Sequence, residues 1–412
     1  MEQRGLMKIN KNIFVKSLEQ IKLIIGNGFD LHCSLSTTYN DYFRDNECME
    51  TIKSWQLNNP YSNILFSYLK ANKKENIMYN GFDMEVPNKF TVWDIFFFNK
   101  SLNKKEKQWC DIEKEIKGSL ISNAPKEKAI SFWETIFNII NENMEYQNKL
   151  EFDSEKSVIY CALYMRRKFS RSLNQVKIKE EKRAQFYEIL LEELKLFEKC
   201  FGEYIIKQIE KNNDQYAKEF HKFMYKISNK PLENIISIDS FNFSNLNLVK
   251  EDNLVNIKAF KNFYSGMFCN INGDVHNPIF GIDSSELTPG DSAYIFTKTS
   301  RRLMQDITNN YIYKPIDYRN IVIYGHSLNR QDYSFFFPIF DYLKIDDVLQ
   351  NTHIVFAYSV YDVKKALVIQ KNQMKSISSI IYAYEKYIHP DRKEMRLLDS
   401  LSEKRRIVLY RI

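Results

Sequence analysis

The stretch KLIIGNGFDLHCSLSTTYNDYF, Lys22–Phe43, decides the fold class. It begins as a short apolar run, which predicts a buried β-strand, and then turns on two glycines around Asn27. A glycine-rich turn between a strand and a helix is typical of nucleotide-binding α/β proteins. The full GxGxxG pattern is absent because position 31 is Leu, and Asp30 places an acid close to the turn.

Two interpretations of this turn fit the residues. In the first, Gly26 and Gly28 let a ligand approach the backbone, and the following helix start offers free N–H groups. A side chain at Gly28 would then fill the space of the ligand without unfolding the protein. In the second, the glycines only make a tight turn and Asp30 caps the helix. The turn alone does not separate the two interpretations.

Short β-branched and aromatic runs return after Pro231 and predict further strands. The segment DYSFFFPIFDYL lies between the last two of these runs, as expected for a helix joining parallel strands. The terminal IVLYRI fits a last edge strand. The runs are ENIISIDSFNF (Glu233–Phe243), NPIFGID (Asn277–Asp283), NIVIYGHSL (Asn320–Leu328) and THIVFAYS (Thr352–Ser359).

Between the first strand and these later runs, glycine is rare and helix formers dominate. In Lys179–Lys211 the apolar spacing of three and four predicts one amphipathic helix, or a pair broken near Gly202. We therefore predict an α/β protein with a Rossmann-like parallel sheet and a large all-helical insertion. The predicted domains are a core from 20–46 plus 232–370, an insertion over 47–231, and a C-terminal helical extension over 371–412.

Composition places the chain among cytoplasmic proteins. No apolar run approaches the roughly 20 residues that a membrane helix needs, so we expect no membrane partner. The N-terminus lacks the apolar segment of a signal peptide. The six cysteines are scattered and are not paired with histidines at metal-ligand spacing, so we expect no metal site.

The net charge of +7 is a small excess over 52 acidic residues. Basic residues cluster only in short groups, which suit a solvated surface or a nucleic-acid contact. These groups are Arg166 to Lys168, Arg301-Arg302 and Lys404 to Arg406.

Polar residues stand at the ends of four predicted strands. Because ligands of open α/β sheets bind outside the carboxyl ends of the strands, these residues predict a single site at one sheet edge. The four segments are GNGFD, FNFSN (Phe241–Asn245), FGID (Phe280–Asp283) and YGHSLNRQD (Tyr324–Asp332).

In order along the chain, IIGNGFDLHCSLSTTYNDYF, WCDIE, FNFSN, IFGID and YGHSLNRQDYSFFFPIF resemble the AbiH family of bacteriophage abortive-infection proteins. The family pattern runs approximately IGNGFDLAHGLxTxYxDF, WxDxE, FNYT, HG, IFGID and YGHSLxxxD, and the resemblance spans about residues 21–345. The same order is also similar to that of sirtuin-like domains, which bind NAD and in many bacterial defence proteins hydrolyse it. That second resemblance is an analogy at the level of the fold.

The resemblance implies NAD, as substrate or ligand, at the sheet edge. Asp332 would cap the following helix or reach a ribose hydroxyl, and Asp30 would face sugar hydroxyls or the cationic nicotinamide. The residues implied in binding are Gly26, Asn27, Gly28, Asp30, Gly325, Ser327 and Asp332.

The resemblance also implies a set of catalytic candidates. Asn242 would order the water or the ribose near the scissile glycosidic bond. Asn272-Gly273 stands where the family has His-Gly, and asparagine cannot serve as a general base. His276 lies four residues on and could substitute for the missing base only if the loop turns back; otherwise it fits a partly exposed turn residue. The catalytic candidates are Asn242, Asn272, Asp283 and His326, with Asp30 as a further acid.

These expectations favour antiphage defence by abortive infection, with cleavage of the nicotinamide–ribose bond of NAD. A nuclease and a non-enzymatic, nucleotide-gated phage sensor remain open. Expected partners are NAD or a related nucleotide, a phage-derived trigger and further copies of the chain. In WCDIE, Trp109 is expected to pack, and Glu113 is expected to cap a helix or to support the site.

Overall fold

The computed structural model of the chain describes residues 11–45, 48–57, 90–103, 112–121, 130–141, 152–170, 179–244, 268–284, 287–304, 317–360, 362–392 and 396–412. The chain divides into two compact units. Unit 1 comprises residues 1–37, 202–276 and 306–412, and unit 2 comprises residues 38–201 and 277–305. These limits differ from the domain boundaries predicted from composition, since residues 202–231 belong to the same unit as the sheet.

Within the described residues, unit 1 contains one six-stranded sheet in which every neighbouring pair of strands is parallel. The strand order is β3-β2-β1-β4-β5-β6, the doubly wound order in which the topology switches between β1 and β4. The predicted α/β fold with a parallel sheet is confirmed. The strands are β1 Ile21–Ile25, β2 Ile235–Ser240, β3 Phe268–Asn270, β4 Asn320–Tyr324, β5 His353–Tyr358 and β6 Ile407–Arg411.

Helices cover both faces of this sheet. The helix Asn213–Ile227 turns Phe220, Phe223 and Met224 inward at helical spacing, and the ring of Phe223 lies 4.6 Å from that of Tyr324 on β4. The opposite face carries Ile24, Ile321 and other apolar residues against the helices that follow β4 and β5. Coverage on both sides explains why β1 and β4 are buried along their whole length.

The helices of unit 1 are numbered together with those of unit 2 in chain order. Those of unit 1 are α1 Lys11–Lys16, α2 Asn27–His32, α10 Asn213–Ile227, α11 Pro231–Asn234, α13 Tyr333–Tyr342, α14 Ala366–Ile388 and α15 Leu397–Glu403. Short 3₁₀ turns occur at Arg330–Asp332 and Val363–Lys365.

Unit 2 is helical in the part that the structure describes. The predicted helix at Lys179–Lys211 forms without a break at Gly202, and the boundary between the units falls inside it. The helices are α3 Tyr39–Asp45, α4 Cys48–Leu57, α5 Val92–Asn103, α6 Ile112–Leu120, α7 Phe132–Ile140, α8 Phe152–Ser170, α9 Lys179–Lys211 and α12 Lys298–Leu303, with a 3₁₀ turn at Ser292–Phe296.

The predicted strand at Asn277–Asp283 is wrong. This segment lies in unit 2 and makes only an isolated bridge between Ile282 and Thr297. Its backbone is held by a side chain instead, because the N–H of Phe280 donates to Oε1 of the buried Glu198 at 2.7 Å.

None of the described helices is long and apolar enough to cross a membrane.

Candidate functional site

The carboxyl ends of β1, β2, β3 and β4 place polar residues along one edge of the sheet. The register sets Ile25 level with Ser240 and with Tyr324, so the segments that follow begin side by side. The switch point of the topology lies here, between β1 and β4. In doubly wound sheets this is where the crevice for a ligand opens.

The glycine turn packs against the loop after β4, backbone on backbone. The N–H of Gly28 donates to the carbonyl of Gly325 at 2.9 Å. A Cβ added to Gly26 would lie 2.7 Å from the Cα of His326, and one added to Gly28 would lie 2.7 Å from the Cα of Gly325. The expectation that a side chain at Gly28 would leave the fold intact is therefore wrong, because the glycine is required by a neighbouring loop.

Gly325 is required for a second reason. Its φ of +69° lies in the left-handed region that side chains rarely adopt, and an added Cβ would meet the N of Phe29 at 2.5 Å. Two loops from distant parts of the sequence thus depend on each other's lack of a side chain. A contact of these glycines with a dinucleotide stays a prediction.

Asp30 is the central acid of this edge. It lies within α2, whose N-cap is Gly26, so the interpretation of Asp30 as the helix cap is wrong. The side chain is 2% exposed, and its Oδ1 accepts a 2.6 Å hydrogen bond from Oγ of Ser244. The segment after β2 therefore reaches back to the acid of the glycine turn.

Burial raises the pKa of Asp30 from its usual value of 3.8 to about 7. Hydrogen bonds from Ser244 and Asn242 favour the carboxylate and oppose the shift. Desolvation is the larger effect, so the carboxyl group is half ionised near neutral pH. Such a group is suited to giving or taking a proton under cellular conditions.

Two buried neighbours of Asp30 remain neutral. Burial and the Asp30 carboxylate both raise the pKa of the Cys33 thiol, and they raise the pKa of the Tyr216 hydroxyl in the same way. Neither group therefore ionises near pH 7. Of these three side chains, Asp30 is the one that changes its charge near pH 7.

Asn242 joins the β2 end to the glycine turn. Its Nδ2 donates to the carbonyl of Gly26 at 3.1 Å, and the side chain is 5% exposed. Nδ2 of Asn270, on β3, in turn donates to the carbonyls of Asn242 at 2.7 Å and Ser244 at 3.0 Å. The network ties β1, β2 and β3 together at the point where they end.

His326 is held inside unit 1. Its Nδ1 accepts from the N–H of Leu328 at 2.9 Å, which places the ring proton on Nε2, 3.5 Å from Oδ2 of Asp332. The ring lies 4.2 Å from that of Phe241. Asp332 takes the N-cap position of α13 without a side-chain capping bond. His326 is thus a hydrogen-bonded histidine at the edge of the core, and its catalytic role stays a prediction.

The remaining candidates are placed as follows. Asn272 is buried after β3, Asn27 is exposed and its Oδ1 accepts from Oγ1 of Thr37 at 2.7 Å, and Ser327 is exposed. Asp283 lies in unit 2. His276 is exposed and its N–H donates to Asp274, as expected of a turn residue.

Most of the WCDIE segment falls outside the described residues, including Trp109. Glu113 is described, and its Oε2 accepts from Nζ of Lys298 at 2.8 Å within unit 2. Glu113 therefore pairs with the first residue of α12, the helix that follows the FGID segment.

Sequence reasoning missed Ser244 and Asn270. Ser244 stands in FNFSN two residues after Asn242, and that spacing was the available signal. Asn270 ends a three-residue strand that the pattern did not reveal.

The basic clusters are partly used inside the protein. Arg301 makes a bidentate ion pair with the buried Glu198, with N–O distances of 2.9 and 2.6 Å. Arg406 is 5% exposed and donates to the carbonyls of Ile345, Asp347 and Thr352. These two arginines are structural, which weakens the nucleic-acid interpretation.

The chain matches the protein family described as Bacteriophage abortive infection AbiH over residues 23–358. No match was found among curated proteins or among solved structures. The family resemblance seen in the motifs is confirmed, and the sirtuin-like resemblance stays a prediction.

Proposed function

Because the chain belongs to the AbiH family of bacteriophage abortive-infection proteins, it acts in antiphage defence by abortive infection, and we propose that it does so by hydrolysing the nicotinamide–ribose bond of NAD. The observation that carries this proposal is the placement of Asp30 beside Asn242 at the switch point of a doubly wound sheet. Dinucleotides bind at this position in sheets of the same strand order.

The chemistry requires stabilisation of a cation. As the bond between C1′ and the nicotinamide nitrogen breaks, nicotinamide leaves with the bonding electrons and positive charge develops on the ribose. The Asp30 carboxylate would stabilise that charge, and its burial would make the interaction stronger than in water.

Water completes the reaction by adding its oxygen to C1′ and losing a proton. Asp30, with a pKa of about 7, is basic enough to accept that proton near neutral pH. Asn242 would position the water or the ribose, as the sirtuin-like resemblance implies. Ser244 would orient the carboxylate through its 2.6 Å hydrogen bond to Oδ1.

Asn272 is not needed as a base in this scheme. The family histidine that it replaces would accept a proton, and Asp30 on α2 would supply that capacity.

The test is incubation of the purified full chain with NAD, followed by chromatography for nicotinamide and ADP-ribose. Wild type should release both, Asp30→Asn should release neither, and Asp214→Asn, which removes an exposed carboxylate of α10, should behave as wild type. Parallel incubations with single- and double-stranded nucleic acids cover the nuclease alternative. Unchanged NAD, even with infected-cell extract added, would contradict the proposal.

A further inference from the structure

The N-terminal half of α14 contributes no buried residue to the core. The C-terminal half packs through Ile377, Ile380, Ile381 and Tyr384 against the apolar cluster on the sheet. By contrast, no residue over 366–376 is buried. Four residues of these three turns, Ala366, Ile369, Gln373 and Ser376, are half-buried and the others are exposed. These turns are therefore packed less than the anchored half, and helical turns with little packing are only marginally stable in water.

The outward side of α14 combines apolar and basic side chains. Leu367 is 70% exposed and Met374 is 54% exposed, and both lie about a quarter turn from the centre of the buried residues, at the border of the outer face, given about 3.6 residues per turn. Exposed apolar groups in one patch mark an interaction surface more often than scattered ones do. The other exposed members of this outer face are Val368, Lys371, Lys375, Tyr382 and Lys386.

All the charge on this outer face is positive. The only carboxylate of α14 is Glu385, which is buried and accepts hydrogen bonds from the backbone of Arg396 and Leu397. A second copy of the chain on this face would bring lysines against lysines. A nucleic acid would satisfy the lysines and leave Leu367 and Met374 in water.

We propose that the outer face of α14 docks on an anionic lipid surface, with its apolar side chains in the headgroup–acyl boundary and its lysines against lipid phosphates. Helices that lie in a membrane interface pair apolar residues with lysines in this manner. Long lysine side chains keep their charge at the headgroups while their stems cover apolar surface. The expectation of no membrane partner rested on the lack of a long apolar run, which does not bear on a helix lying along a surface.

The test is sedimentation of the full chain with vesicles of phosphatidylcholine alone and of phosphatidylcholine mixed with phosphatidylglycerol. Wild type should bind the anionic vesicles, bind the neutral ones weakly, and dissociate as salt rises. Lys371→Glu/Lys375→Glu should lower the partition coefficient by about tenfold or more. Lys207→Glu/Lys218→Glu changes the charge equally at exposed positions of α9 and α10, and should retain binding.

The apolar contribution has its own pair of variants. Leu367→Gln/Met374→Gln should weaken binding to anionic vesicles without a change in charge, whereas Val348→Gln/Leu349→Gln, at exposed positions before β5, should not. Circular dichroism and thermal melting confirm that each variant is folded. The proposal is overturned if wild type does not bind anionic vesicles, or if the outer face of α14 binds duplex DNA instead. It is also overturned if the α14 variant and its control bind equally, either in the lysine pair or in the apolar pair.

Discussion

Oγ of Ser244 donates a 2.6 Å hydrogen bond to Oδ1 of Asp30, joining the segment after β2 to the glycine turn after β1 across 214 positions of sequence. The bond is buried on both sides. It fixes the orientation of an acid at the switch point whose pKa burial raises to about 7.

Asp30→Asn should change the dependence of stability on pH. Because the folded pKa is raised from 3.8 to about 7, the folded protein holds the proton more tightly than the unfolded chain, and stability falls as pH rises through this window. Asparagine removes this loss. Above pH 7 the variant should be more stable than wild type, by at most roughly 4 kcal/mol, and near pH 4 the two should differ little.

Denaturant unfolding at several pH values checks this prediction. Asp214→Asn serves as the matched control and should follow the wild-type profile. A variant that loses as much stability at pH 8 as at pH 5 would show that the pKa of Asp30 is not raised in the folded protein.

Ser244→Ala should raise the pKa of Asp30 further. The hydrogen bond from Ser244 favours the carboxylate, so its loss moves the midpoint of any Asp30-dependent activity to higher pH. The buried bond should also cost about 1–2 kcal/mol in the free energy of unfolding. Ser228→Ala, another buried serine of unit 1, is the control for stability and should leave the pH midpoint in place.

Gly325→Ala should destabilise the protein by about 2 kcal/mol or more, because it combines a left-handed φ with a backbone clash at Phe29. Gly28→Val should also lower the melting temperature. Gly118 in α6 has nothing within 4 Å of an added Cβ, and Gly118→Ala should instead stabilise by about 0.5–1 kcal/mol. Equal effects at Gly118 and Gly325 would contradict the packing of the two loops.

Asn242→Ala should affect both stability and function. The side chain was expected from sequence to act in the site with little structural role, yet its Nδ2 satisfies the buried carbonyl of Gly26. Its removal should cost about 1–3 kcal/mol. Asn372→Ala, at an exposed position of α14, should be nearly neutral by the same melting measurement. If Asn242→Ala left the stability unchanged, the side chain would have a functional role alone.

Much of the sheet was predictable because its strands are continuous apolar runs ending in glycine or polar residues, as at Ile21–Ile25 and Asn320–Tyr324. The terminal IVLYRI also forms the edge strand that its pattern suggested. The strand Phe268–Asn270 was missed because three residues containing Cys269 and Asn270 carry no periodic signal. The Asn277–Asp283 run resembled a strand, but its backbone is held by Glu198.

The candidate site was predictable in position and less so in detail. Three of the four predicted segments, those after β1, β2 and β4, do lie at one edge of the sheet, whereas the FGID segment belongs to unit 2. The mutual dependence of Gly28 and Gly325 could not be foreseen, because it joins two loops far apart in sequence. The same holds for the burial that raises the pKa of Asp30, since desolvation is a property of tertiary packing.

The most direct test of the central claim is the rate of nicotinamide release from NAD by the purified full chain, measured from about pH 5 to about pH 9. We predict a rate that rises with pH, reaches half its maximum near the pKa of Asp30 at about 7, and is absent in Asp30→Asn at every pH. Asp214→Asn should reproduce the wild-type curve. Release by Asp30→Asn at the wild-type rate, or no release by wild type at any pH with infected-cell extract present, would contradict the assignment of Asp30 to NAD cleavage.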